Sequence, residues 1–244
     1  MLVWGAALMV LLLVAGLASV VLSRDEESRP GRRDGLVAAD VERDTPVAQP
    51  PALAKGTDVA AWADAVAERV AVPRRALRAY AAAELAQRAK RPKCRMSWAT
   101  LAGIGRVESD HGRLGDADLD ADGVARPRII GVALDGSRDT RLVRDTDRGA
   151  LDGDATVDRA VGPLQFLPST WRRYGADGNG DGVRDPHQID DAAMAAAAYL
   201  CAGGRDTASG AGWWDGVLAY NQSLEYGRLV WAAADHYATA ASSA

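Results

Sequence analysis

The chain has 244 residues, of which 48% are hydrophobic and 25% charged, with a formal net charge of −4. These values fit one moderate globular domain with appendages. They exclude the usual nucleic-acid binder, because Arg, Asp and Glu are interspersed and form no basic stripe.

Residues 2–22 carry no charge. As a helix they would be about 31 Å long, close to the roughly 30 Å apolar thickness of a bilayer. The segment lacks the early Lys or Arg of a secretory signal and is longer than the apolar part of one, so an uncleaved transmembrane anchor is expected, with a cleaved signal as the alternative. Arg24, Arg29, Arg32 and Arg33 follow it and would by themselves favour the inside. Residues 23–56 hold Pro30, Pro46, Pro50 and Pro51, six basic and seven acidic residues, and almost no periodic apolar pattern. They read as a disordered linker that gives reach, leaving residues 57–244 as the folded domain.

Thr57 or Asp58 can cap a first helix to about Ala71, with Val59, Trp62, Val66 and Val70 on one face. Pro73 suits the first residue of a second helix to about Lys90. Both are scaffold. A third helix is capped by Ser97 and stopped by Gly112. Leu101 and Ile104 precede Glu108 by seven and four residues, so all three share a face that points into the core or a cleft. A carboxyl there loses water, which disfavours its charged form and suits a general acid. The bland alternative is a solvated Glu in a last helical turn. Residues 112–161 turn to Gly, Asp, Pro and short β-branched runs such as Ile129-Ile130-Gly131-Val132, which predicts long loops and two or three short strands forming one wall of a cleft.

In the run from Gly162 to Trp171, Pro163 fits a first helical turn, Pro168 interrupts it, and Ser169-Thr170 can cap the next, so a short bent helix is expected. Gln165 offers donors and an acceptor that suit the hydroxyl and acetamido groups of an amino sugar. Trp213, Trp214, Val217 and Leu218 form an apolar run that ends on Tyr220 and Asn221. A tyrosine so placed is more often core than catalytic.

Asp177, Asn179, Asp181 and Gly182 match positions 1, 3, 5 and 6 of a calcium loop. Position 12 is Gln188 rather than a bidentate Glu, so the same residues also read as plain turns and a cap for a helix starting near Ile189. Asp118, Asp120, Asp122 and Gly123 repeat the pattern weakly and read as a surface loop. His111, His187 and His236 are too scattered for a zinc set.

As an ordered set, Glu108-Ser109, the ten residues from Gly162 through Gln165 to Trp171, and Tyr220-Asn221 resemble the motifs of lytic murein transglycosylases. The resemblance is to the membrane-bound lytic transglycosylase B-like branch of the lysozyme-like superfamily, of actinobacterial type. It spans about residues 60–235, and Leu164 stands where Met is frequent. It implies a mainly α, α+β lysozyme-like fold, with Glu108 as acid and then base and Tyr220 supporting it. Ser109, Gln165 and Asn221 would bind sugar. Cleavage of the β-1,4 bond between N-acetylmuramic acid and N-acetylglucosamine would leave a 1,6-anhydro end. No cofactor is implied for the chemistry. A longer calcium loop would draw on Asp177, Asn179, Asp181, the Val183 carbonyl and Asp191, against the plain-turn reading. The partners would be peptidoglycan strands and, through residues 2–22, the membrane. The location would be the cell envelope with the folded domain outside, or secreted if the segment is cleaved.

Two alternatives compete with this reading. Lysozyme-type hydrolysis would need a second carboxylate, for which Asp110, Asp152, Asp154 and Asp158 are available. A glycan-binding module without turnover would keep Gln165 and Asn221 but lose the acid. In an exported chain the only two cysteines, Cys94 and Cys201, are expected to be bridged, against the alternative of two buried thiols.

Overall fold

The computed structural model describes residues 36–137 and 140–243. The anchor expected at 2–22 and the linker as far as residue 35 lie outside the described residues. Among those described are seven α-helices and two small antiparallel sheets, so the fold is mainly α, as expected.

Helix α1 (Val59–Val70) starts on Asp58, whose side chain accepts the amides of Ala60 and Ala61. Its inner face is Ala63, Val66, Ala67 and Val70, while Trp62 packs edge-on against Trp98 with ring centroids 5.3 Å apart. Helix α2 (Arg74–Lys90) follows Pro73, which serves as its N-cap. Helix α3 (Trp98–Ser109) is capped by Ser97 through the Ala99 amide.

The expected single apolar face of α3 is corrected here: residues 98–105 are buried on every side. Its small residues explain why, since a Cβ on Gly103 would come within 2.9 Å of the Val230 carbonyl of a neighbouring helix. That neighbour is α7 (Leu224–Ser242). Helices α5 (Ile189–Leu200) and α6 (Gly210–Tyr220) complete the shell. Trp98, Trp213, Trp214 and Tyr80 are fully buried, each worth roughly 2–3 kcal/mol of apolar burial. Cys94 and Cys201 form a disulfide that ties the approach to α3 to the end of α5.

Between α3 and α5 lie strands β1 (Asp118–Leu119), β2 (Ala125–Arg126), β3 (Ile130–Ala133) and β4 (Arg159–Val161), and the seven-residue helix α4 (Pro168–Tyr174). β1 pairs with β2, and β3 with β4 in the register Ile130 to Val161 and Ala133 to Arg159. The bent helix expected around Gln165 is also corrected. Residues 162–165 form a turn, and Pro168 starts α4 instead of interrupting it. Neither Ser169 nor Thr170 caps, because the helix has already begun.

Residues 36–56 are not the disordered linker expected; they lie extended against the helices, and the compact unit begins at Leu36 rather than at residue 57. The Thr45 carbonyl accepts both the Trp214 and the Trp231 indole N–H, at 3.1 and 3.2 Å. The Ala48 amide donates to Asp235, the Leu53 amide donates to Glu84, and Val47 is buried. A strap of this kind has no pattern of its own because its partners lie far away in sequence.

Candidate active site

Helix α3 delivers Glu108 at its last turn, where the helix emerges from the core. Asp110, His111 and Gly112, the three residues after the helix ends at Ser109, have φ of 51°, 62° and 94°, so the backbone unwinds through the left-handed region at once. Glu108 is half-buried, and its Oε1 accepts a 2.6 Å hydrogen bond from the Tyr226 hydroxyl. Tyr226 is buried in the first turn of α7, positioned by the Ser223 cap.

The support assigned to Tyr220 is therefore corrected. Its hydroxyl donates to the Leu164 carbonyl at 2.7 Å, and its largely buried ring packs on Phe166 and Tyr199. It still lies near the acid: burial, followed by the negative charge of Glu108, pushes the Tyr220 phenol well above its usual range. Its place is set by the C-terminal end of α6, whose apolar Trp213 and Val217 are buried beneath it. No quoted motif included Tyr226. The available signal was a second tyrosine three residues into a helix capped by serine and six residues after Tyr220.

Ser109 is also reassigned. It is wholly buried, donates to the Pro163 carbonyl and accepts the Gly112 amide, so both hydroxyl bonds are made within the protein. Its effect is to fix the turn that carries Gln165. Ser109 holds Pro163 and Tyr220 holds Leu164. Gly162, at φ 78°, is required because a Cβ would lie 1.8 Å from the Pro186 carbonyl. Gln165 itself has φ 47°, is half-exposed, and gives one amide N–H to the Gly162 carbonyl. Asn221 is exposed just after α6, where its side-chain oxygen accepts the Ser223 amide. Glu108 is thus bonded to Tyr226 of α7, while the turn that carries Gln165 is bonded to Ser109 of α3 and Tyr220 of α6.

The four aspartates that could have served as a second carboxylate are all engaged elsewhere. Asp110 pairs with Arg106 and Arg113; burial alone would raise its carboxyl, but those cations hold it below its usual range. Asp152 accepts the amides of Asp154 and Arg159. Asp154 accepts those of Thr156 and Val157, besides pairing with Arg159, and these bonds lower its pKa. Asp158 is fully buried and takes both the amide and the hydroxyl of Thr146.

In the 177–191 loop, Asp177 accepts the amides of Gly180, Asp181 and Gly182. Asn179 donates to Asp181, and Asp181 accepts the Val183 amide. Asp191 is buried, which raises its carboxyl, and it accepts the amides of Gly178 and Asp185. Gln188, at the closing position, instead caps α5 through the amides of Asp190 and Asp191. The set of three carboxylates among the described residues that gathers one oxygen each within 4.8 Å lies elsewhere, at Asp145, Asp147 and Asp158. Sequence reasoning missed that set because two of its members close turns of their own loop.

Residues 140–214 match the family model of the transglycosylase SLT domain. A solved structure described as the Escherichia coli lytic transglycosylase Slt35 in complex with bulgecin A is similar over 76% of this chain and 81% of that one, at 14% sequence identity and a TM-score of 0.43. None of the curated proteins matches this chain. What is shared with a known family is thus the stretch from the loop ahead of Gln165 to the first turn of α6, which takes in the aspartate loop but stops short of Tyr220 and excludes Glu108.

Proposed function

We propose that the protein is a peptidoglycan lytic transglycosylase in which Glu108 is both acid and base. One observation carries the reading: a half-buried glutamate held by a tyrosine hydroxyl stands beside a turn pinned by Ser109 and Tyr220, while Asp110, Asp152, Asp154 and Asp158 are engaged elsewhere. The match to a transglycosylase domain over the Gln165 segment supports it.

Protonated Glu108 gives its hydrogen to the glycosidic oxygen between N-acetylmuramic acid and N-acetylglucosamine, and the bond from C1 to that oxygen breaks. The carboxylate then takes the proton of the muramyl 6-hydroxyl as its oxygen bonds to C1, closing the 1,6-anhydro ring without water. Tyr226 fixes the rotamer of Glu108 and stabilises it when charged. Gln165 and Asn221 bind the acetamido and hydroxyl groups, and Ser109 and Tyr220 keep the Gln165 turn in place. The disulfide agrees with an envelope location outside the cytoplasmic membrane, for which residues 2–22 would be the anchor.

Calcium fits the 177–191 loop in donor chemistry, since its ligands would all be oxygens: Asp177, Asn179, Asp181, the Val183 carbonyl and the buried Asp191. A bound ion would offset the charge buried at Asp191 and stiffen the loop. It has no part in the bond cleavage.

Replacing Glu108 with Gln and incubating with purified sacculi tests the reading. Product formation is expected to fall by at least about 10³-fold with binding retained. Unchanged turnover would reject Glu108 as the catalyst, and an inert wild type that still binds would favour a glycan-binding module.

A further inference from the structure

Many of the arginines are neutralised in place: Arg75 by Asp190, Arg88 by Glu84, Arg106 and Arg113 by Asp110, and Arg159 by Asp154. One cavity of about 960 Å³ breaks this pattern. Its wall carries Lys90, Arg91, Lys93, Arg173 and Arg205 and no carboxylate. Among the described residues none of the five has an ion pair. The same wall holds Gln87, only 2% exposed, whose Nε2 has no hydrogen-bond partner.

Part of this positive charge answers the ends of helices. α2 and α4 end at the cavity and α5 ends beside it. Arg91 reaches the Cys201 carbonyl at 3.3 Å, and Arg205 reaches that of Tyr199 at 3.3 Å. Three helix ends carry roughly −0.5 each, however, so a surplus of about 3.5 positive charges remains unanswered. A surplus of cations next to an orphaned buried donor is a setting for an oxyanion.

The cavity is also near the acid. Tyr174 in its wall, with the Arg173 guanidinium 5.2 Å above its ring, contacts Tyr199 edge-on at 4.8 Å, and Tyr199 contacts Tyr220 at 5.5 Å. Two ring contacts thus separate it from the tyrosine that feels the charge of Glu108. The glycan backbone of peptidoglycan is largely uncharged, and its negative groups are the carboxylates of the peptide stems.

We propose that this cavity binds stem-peptide carboxylates and gives the protein a preference for peptide-bearing over bare glycan strands. The identity of the ligand rests on the transglycosylase reading, whereas the anion chemistry of the cavity does not.

The test measures equilibrium binding of the Glu108→Gln protein to soluble strands with stems, to the same strands stripped by an amidase and then amidated at the lactyl carboxylates that the amidase frees, and to inorganic phosphate. Stem-bearing strands are expected to bind about tenfold more tightly at low salt, the scale of two partly screened charge contacts. That difference should vanish in Lys93→Gln/Arg173→Gln, whose exposed positions leave thermal unfolding unchanged. A Lys90→Gln/Lys93→Gln pair serves if the first variant is unstable. Equal affinities for the two strands, or a difference that survives both double variants, overturns the site. Phosphate that displaces the stems as well as free stem peptide does overturns the stem assignment. Wild-type turnover separates the two readings: cleavage without stem preference counts against the cavity alone, and stem preference in binding without cleavage counts against the enzyme alone.

Discussion

The helical shell and the segment between α3 and α5 use carboxylates in opposite ways. In the helices the two glutamates that enter the interior, Glu84 and Glu108, are held by partners distant in sequence. Glu84 receives the amides of Leu53 and Trp98 together with Arg88, and Glu108 receives Tyr226. In the loops the aspartates are dense and turn inward on their own backbone. Asp145 takes the amides of Asp147, Arg148 and Gly149, and Asp147 those of Ala150 and Leu151. The loop aspartates named here therefore hold their own turns, and the carboxylate proposed as the catalyst is the solitary one at the end of a buried helix.

That contrast can be broken most strongly on the helical side. Removing the disulfide by Cys94→Ala and Cys201→Ala frees a loop 107 residues long and should cost about 4–5 kcal/mol, read as a lower urea midpoint. Glu84→Ala leaves the buried Trp98 amide and the half-buried Leu53 amide without their acceptor and should cost about 3 kcal/mol in the same assay. On the loop side, Asp158→Ala should cost about 2 kcal/mol by orphaning the Thr146 groups, while the products of cleavage stay the same. A change from anhydro to reducing ends in that variant would make Asp158 part of the chemistry.

Tyr226→Phe and Tyr220→Phe sharpen the comparison within the site. The first removes a bond to the acid and should slow kcat roughly thirtyfold, about 2 kcal/mol. The second releases the Leu164 carbonyl and should act on KM through the Gln165 turn. A further effect is one of pH. His111 lies between the Tyr80 and Tyr237 hydroxyls, and burial pushes it down to about 3. The unfolded chain takes up that proton near 6.5 while the folded one does not, so stability falls as pH drops from about 6.5 towards 3. The slope is up to about 1.4 kcal/mol per pH unit, and His111→Gln should flatten it.

The helices were legible because Asp58, Pro73 and Ser97 mark their starts and the apolar spacing marks their inner faces. Glu108 was legible as a residue of the last turn of α3, whereas Gln165 lies in a turn and not on the short bent helix expected. Tyr226 was not, because nothing in Leu224-Glu225-Tyr226 distinguishes a tyrosine that packs from one whose hydroxyl meets a carboxylate on another helix. Ser109 was misjudged for a related reason: its motif neighbour is the acid, but its partners, Pro163 and Gly112, are set by the fold. The strap at residues 36–56 was hidden by its prolines and charges, since backbone bonds to α2 and α7 leave no period in sequence.

The most direct test is the mass of the muropeptides released from sacculi by the wild-type protein. A lone Glu108 acting as acid and then base predicts muramyl ends lighter by one water than reducing ends, with no oxygen taken up from labelled water. Reducing ends carrying the solvent label would contradict it.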